Sequence, residues 1–296
     1  SAFSGWSGVG VTDTSAACST VRRPAGCSVG ACSTLISSTL SLSAGTGGTV
    51  SGGGSYGYGT TANITATPNT GYTFSGWSGV GVTDTNAAST TVSMTADRSV
   101  SASFTLNNHT LTLSAGTGGT VSGGGSYGYG TSANITATPN TGYTFSGWSG
   151  VGMTDTNAAN TTVSMTADRS VSASFTLNNH TLSLSAGTGG TVSGGGNYGY
   201  GTSANITATA NTGYTFSGWS GVGVTDTDAA STTVSMTADR SVSGSFTLNN
   251  HTLSLSAGTG GIVSGGGNYG YGTSANITAT ANTGYTFSGW SGVGMT

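Results

Sequence analysis

Tryptophan recurs at positions 6, 77, 148, 219 and 290, each time inside a Phe-Ser-Gly-Trp-Ser-Gly-Val-Gly string and each time 71 residues after the last. A constant interval of that size marks one small structural unit duplicated in tandem, so whatever the chain does it does by length, spacing or multiplicity. The period divides the 296 residues into a divergent C-terminal part of a repeat at 1–38, three whole repeats at 39–109, 110–180 and 181–251, and the N-terminal part of an incomplete repeat at 252–296.

Within a repeat the residue types favour strands. The chain has five Arg and eight Asp but no Lys, Glu or Gln, so most of the best helix formers are missing, while 54 Gly and abundant Ser, Thr and Asn favour turns. Apolar residues fall at period two: Leu40 with Leu42; Ala62, Ile64 and Ala66; Tyr72 with Phe74; Val92 with Met94; and Val100, Ala102, Phe104 and Leu106. This alternation predicts five short strands per repeat, with a sixth around Thr49–Ser51. Trp77 breaks the parity of Tyr72 and Phe74, which places Gly76 at a bulge that turns the indole inward. Gly45–Gly48 and Gly52–Gly54 read as tight turns, Ala96-Asp97-Arg98 as a hairpin turn, and Asn107-Asn108-His109 as a three-residue linker. The fold class expected is all-β: a tandem array of small β-rich, β-grasp-like repeats forming an elongated rod, with a continuous β-solenoid as the alternative.

Charge and hydropathy exclude several functions. A net charge of −3 over this length provides no basic stripe for nucleic acid, and no run of about 18 apolar residues is present to insert in a membrane. Low complexity with little charge is shared with disordered chains, but every repeat carries Tyr, Phe and Trp enough to fill a small core, so the chain is expected to fold. It opens on Ser1 rather than Met, as expected of a processed or excised chain.

The strings Leu-Ser-Leu-Ser-Ala-Gly-Thr-Gly-Gly-Thr-Val, Ala-Asn-Ile-Thr-Ala-Thr-Pro-Asn-Thr-Gly-Tyr-Thr-Phe-Ser-Gly-Trp-Ser-Gly and Val-Ser-Met-Thr-Ala-Asp-Arg-Ser-Val-Ser-Ala-Ser-Phe resemble the divergent internalin B-repeat family of bacterial surface proteins. The resemblance covers essentially the whole chain. It implies a small β-rich unit found in tandem on secreted and cell-wall proteins, an extracellular or cell-surface location, and no catalytic residues to carry over. The chain departs from that family in lacking its common acidic and Lys residues.

Candidate functional residues are few. Cys18, Cys27 and Cys32 all lie in the divergent first segment; alignment to the hairpin expected in the intact repeat brings Cys18 and Cys32 near one another across two strands and Cys27 near the turn, so the favoured pairing is Cys18 with Cys32, leaving Cys27 over, while a metal site is disfavoured because no His lies near and spacings of nine and five fit no zinc pattern. Tyr56 and Tyr58, with Tyr127 and Tyr129, Tyr198 and Tyr200, and Tyr269 and Tyr271, form either core or an exposed aromatic ladder able to stack on surface glycans. His109, His180 and His251 read as solvated linker residues, and Asp97 with Arg98 as a solvated turn pair. The Asp84, Asp155 and Asp226 loops carry too few oxygen ligands at close spacing for calcium. Asn63-Ile-Thr, Asn108-His-Thr and Asn160-Thr-Thr match the glycosylation acceptor pattern. No nucleophile, base and acid recur as a set, so no enzyme activity, metal or cofactor is expected.

Because 296 is four periods and twelve residues, the chain starts and stops inside a repeat. One expectation is head-to-tail homopolymerisation, in which the N-terminal segment of one copy completes the open last repeat of another through Trp6, Val21, Val29, Ile277, Phe287 and Trp290. The other is that 1–296 is a stretch of a longer array. Arg23 stands where Met94 stands and Ser33 where Phe104 stands, which marks the first segment as different from the repeats.

Overall fold

The computed structural model of the chain describes residues 2–7 and 30–293, and every regular element among them is a β-strand. Two compact units are formed, one built on repeat 1 with Val121–Ala137 and Gly147–Ser174, the other on repeat 3 with Gly116–Thr120 and Thr138–Ser146.

In the first unit, β1 (Ala2–Ser7) pairs antiparallel with β2 (Gly30–Thr34). Repeat 1 follows as β3 (Ser37–Ala44), β4 (Gly48–Ser51), β5 (Gly54–Gly57), β6 (Thr60–Pro68), β7 (Tyr72–Ser78), β8 (Ser89–Met94) and β9 (Arg98–Leu106). These seven strands make two sheets, a four-stranded one in the order β5-β3-β9-β7 and a three-stranded one in the order β4-β6-β8. The alternation expected from the sequence is what lets two sheets face each other. Leu40, Ala62, Ile64, Val92, Met94 and Val100 point inward into one cluster, and the intervening Ser, Thr and Asn face outward. Fully burying an Ile, Val or Met contributes about 1.5–3 kcal/mol each, an upper estimate, and a unit this small depends on every one.

Trp77 joins that cluster by the expected bulge. The register of β7 on β9 slips between Phe74 and Gly76, so Phe74 and Trp77 both reach the inner side, with ring centroids 5.6 Å apart and Trp77 only 5% exposed. Its indole N–H donates to the Ala87 carbonyl at 3.1 Å, which ties down the loop between β7 and β8. The β1–β2 pair repeats this register 71 positions earlier, with Phe3 opposite Ser33, a slip, and Trp6 opposite Ala31.

Three expectations are corrected. Asp97 does not close a hairpin: β8 pairs with β6 in one sheet and β9 with β3 and β7 in the other, so the turn carries the chain between sheets. The three-residue linker shrinks to Asn107, because β10 (Asn108–Ala115) already begins at the next residue. A continuous solenoid is replaced by repeats that each close their own pair of sheets.

The second unit repeats the plan. Strands Asn179–Ala186 and Arg240–Leu248 are parallel neighbours, and Leu182, Ala204, Ile206, Trp219, Val234, Met236 and Val242 form its core.

Candidate functional site at the repeat junction

The eight candidate tyrosines are of two kinds. The first of each pair is structural: Tyr56 packs against the core cluster and its hydroxyl donates to the Gly52 carbonyl at 2.7 Å. Tyr127, Tyr198 and Tyr269 make the same bond to Gly123, Gly194 and Gly265. The second of the later three pairs, Tyr129, Tyr200 and Tyr271, sits where one repeat meets the next. Although Tyr56 and Tyr58 share a parity in sequence, β5 ends between them and their surroundings differ.

In the first unit this junction is built from three residues. Gly71 lies at φ +83°, and a Cβ added there would fall 2.1 Å from Cδ1 of Tyr129, so the ring packs directly on glycine backbone. The Asn107 N–H donates to the Gly71 carbonyl at 2.8 Å, and the Tyr129 N–H donates to the Asn107 carbonyl at 2.7 Å. The Thr73 hydroxyl bonds the Asn107 side-chain oxygen at 2.6 Å. Leu106 packs beneath Gly128, where a Cβ would meet its Cδ2 at 2.6 Å. The second unit holds the same set twice, as Gly142, Asn178 and Tyr200, then as Gly213, Asn249 and Tyr271. Tyr58 has no glycine of this kind beside it among the described residues and is 54% exposed.

His109 is corrected from solvated linker to strand residue. It lies in β10 opposite Tyr127 of the antiparallel strand Gly125–Gly128, its Nδ1 lies 3.3 Å from Oδ1 of Asp168, and its ring lies 6.1 Å from that of Tyr129. Asp168 is likewise not a free turn residue, because it accepts the Thr110 N–H at 2.8 Å. That backbone bond, aided by His109 and opposed by partial desolvation, holds the Asp168 carboxyl below its ordinary range. Asp239, with Thr181 foremost and His180 second, is lowered in the same way. Asp97 accepts the Thr39 N–H at 2.7 Å, while Arg98 turns to the Ser93 carbonyl and the Thr95 hydroxyl, so these neighbours serve different backbones. Asp84 caps its own loop by accepting the Asn86 N–H. Among the described residues no group of three or more His, Cys, Asp or Glu could hold a metal ion, and no helix is long and apolar enough to cross a membrane.

The remaining sequence candidates are dispersed. Cys18, Cys27, Val21 and Val29 lie outside the described residues. Trp6 and Cys32 are described only as backbone of β1 and β2, where Cys32 opposes Gly5. In the last repeat Phe287 is 53% exposed, and Ile277 and Trp290 are half-buried, whereas the corresponding Ile206 and Trp219 of repeat 3 are buried. The junction glycines escaped the sequence reading because Gly71, one of 54 glycines dispersed along the chain, carries no mark of its neighbour; only its fixed distance from Tyr129 could have revealed it.

No curated protein matches the chain. Among solved structures, the Bacillus anthracis TIE protein aligns with a TM-score of 0.40 at 8% identity, over 77% of this chain and 54% of its own, so the chain spans about half of that protein. The family described as the divergent InlB B-repeat domain matches residues 38–108, 109–179, 180–250 and 251–296. The chain belongs to the divergent InlB B-repeat domain family.

Proposed function

We propose that the chain is a structural spacer of an extracellular bacterial surface protein, acting by reach and not by catalysis. The observation that carries this reading is the junction: one connecting residue, Asn107, held on both sides by backbone bonds to Gly71 and Tyr129, leaves adjoining repeats little freedom to swivel. Family membership supports the surface location. The test is small-angle scattering of the 296-residue chain beside versions lacking or duplicating residues 110–180. The spacer reading expects the maximum dimension to change by a constant increment per repeat; an unchanged dimension removes it.

A second reading, head-to-tail self-association, is favoured by the exposed Phe287 and half-buried Trp290 of the last repeat, apolar surface that the β8 and β9 equivalents cover in repeat 3. Sedimentation of the chain with and without residues 1–38 tests it. Concentration-dependent polymers that vanish on truncation support it, and monomers in both cases end it.

A further inference from the structure

We infer that each repeat is a shear-loaded mechanical unit, so that the array carries tension along the chain. The inference deepens the spacer reading and rests on it for its biological sense.

Repeat 1 is entered through β3 and left through β9, and these two strands are neighbours at the centre of the four-stranded sheet. They run parallel, with Leu40 opposite Arg98, Leu42 opposite Val100 and Ala44 opposite Ala102. The Gly45 N–H extends the ladder to the Ala102 carbonyl at 2.8 Å. A pull on the two ends of a repeat therefore acts at the start of β3 and the finish of β9, which are opposite ends of one parallel ladder. Such a load slides the strands past each other and strains all rungs together. A load on two ends at the same side of a ladder instead peels the rungs apart singly.

Three further features serve the same purpose. β9 is flanked on its other side by β7, so sliding it out breaks a second ladder, Tyr72–Leu106 to Ser78–Ser101. Trp77 packs across that pair and Val100 and Ala102 lie in the core, so sliding also exposes apolar surface. Finally, only Asn107 separates β9 from β10, so force passes from one repeat to the next without slack. The arrangement recurs in the parallel pairs Leu111–Ala115 with Arg169–Ala173 and Leu182–Ala186 with Arg240–Gly244, the latter again closed by a Gly187 N–H to Gly244 carbonyl bond at 2.8 Å.

The test is single-molecule stretching of the full chain by its two ends. Three equal force peaks are expected from the three whole repeats, spaced by at most about 250 Å, the extended length of one 71-residue period. Two comparisons decide the mechanism. With handles at Thr46→Cys and Thr105→Cys, both exposed and at the same side of the β3–β9 ladder, and Cys18, Cys27 and Cys32 replaced by Ser, repeat 1 should open at a clearly lower force. Alternation along β3 places the Ser43 N–H on the same side as that of Gly45, so Ser43→Pro, with Ser114→Pro and Ser185→Pro, removes one rung per repeat from a solvent-facing position and should lower the peaks. Val92→Ala, Val163→Ala and Val234→Ala, on the other sheet, should lower thermal stability without a comparable fall in force. Opening without discrete peaks, equal force from both handle pairs, or force that follows thermal stability alone overturns the inference. None of these outcomes depends on the reach measured by scattering, so the two readings fail separately.

Discussion

Placing alanine at the junction glycines separates backbone strain from side-chain collision. Gly71, Gly142 and Gly213 have φ of +83°, +82° and +84°, and a Cβ at each would lie 2.1 Å from Cδ1 of Tyr129, Tyr200 or Tyr271. Gly59, Gly130 and Gly201 have nearly the same backbone, at +80°, +79° and +77°, and a Cβ there meets nothing within 4 Å. An L-residue at positive φ costs about 1–2 kcal/mol, and this term is common to both sets. The junction set alone must also displace a ring from contact, an overpacking penalty of about 1–3 kcal/mol, and put the Asn107-to-Gly71 hydrogen bond under strain. The junction triple variant should therefore lose about 2–5 kcal/mol per repeat and the control triple variant about 1–2 kcal/mol. Urea denaturation followed by tryptophan fluorescence reads the difference. With a slope of about 1–3 kcal/mol per molar, the junction set should melt roughly 1 M earlier than the control. Midpoints are the quantity to compare, since a repeat array need not unfold in two states. Replacing Tyr129, Tyr200 and Tyr271 by Ala should remove the extra penalty and leave the backbone term, and coincident midpoints for the two glycine sets would falsify the junction account.

Three further outcomes are expected. Trp219→Phe removes the indole bond to the Ala229 carbonyl at 3.0 Å and should cost about 1–3 kcal/mol, with faster proteolysis of the 221–230 loop as its local sign. Met236→Ala, at a buried position, should cost about 2–5 kcal/mol in chemical denaturation, whereas Val222→Ser, at a site 71% exposed, should stay within about 0.5 kcal/mol. The Asp168 and Asp239 carboxyls titrate below their ordinary range in the folded state, so their contribution is present above roughly pH 4 and is lost as pH falls through their folded values. Melting followed by circular dichroism between pH 7 and pH 2 should show a smaller acid-induced fall for the Asp168→Asn, Asp239→Asn variant than for the parent chain, and parallel curves would remove those carboxylates from the acid response.

Much of the fold was legible because one face of each strand is buried and the other wet. Ala62, Ile64 and Ala66 against Asn63 and Thr65 leave no other reading than a half-buried strand, and the parity break at Trp77 announces its bulge. What was hidden depends on pairing, which alternation does not encode. Met94 and Val100 look like two arms of one hairpin because they are close in sequence, yet β9 lies between β3 and β7 in one sheet while β8 lies beside β6 in the other. The parallel partner of β9 lies 58 residues earlier, at Leu40 opposite Arg98, and nothing local points to it. The junction was missed for a related reason: His109 and Asn107 look like linker because they are polar, but a polar residue facing outward from a strand has the same appearance. Tyr129 owes its place to a glycine in the preceding repeat, and such a relation is carried by the array and not by any single copy.

The glycine, asparagine and tyrosine that join adjacent repeats each recur at the same interval as the repeats themselves. Any recombination event that removes or inserts one whole period, wherever its breakpoints fall, therefore leaves every surviving seam with a full complement of these three residues. Gene-level slippage between near-identical copies can lengthen or shorten such a protein in single steps without creating a defective joint, so its size is open to selection as a heritable variable while its local structure stays constant.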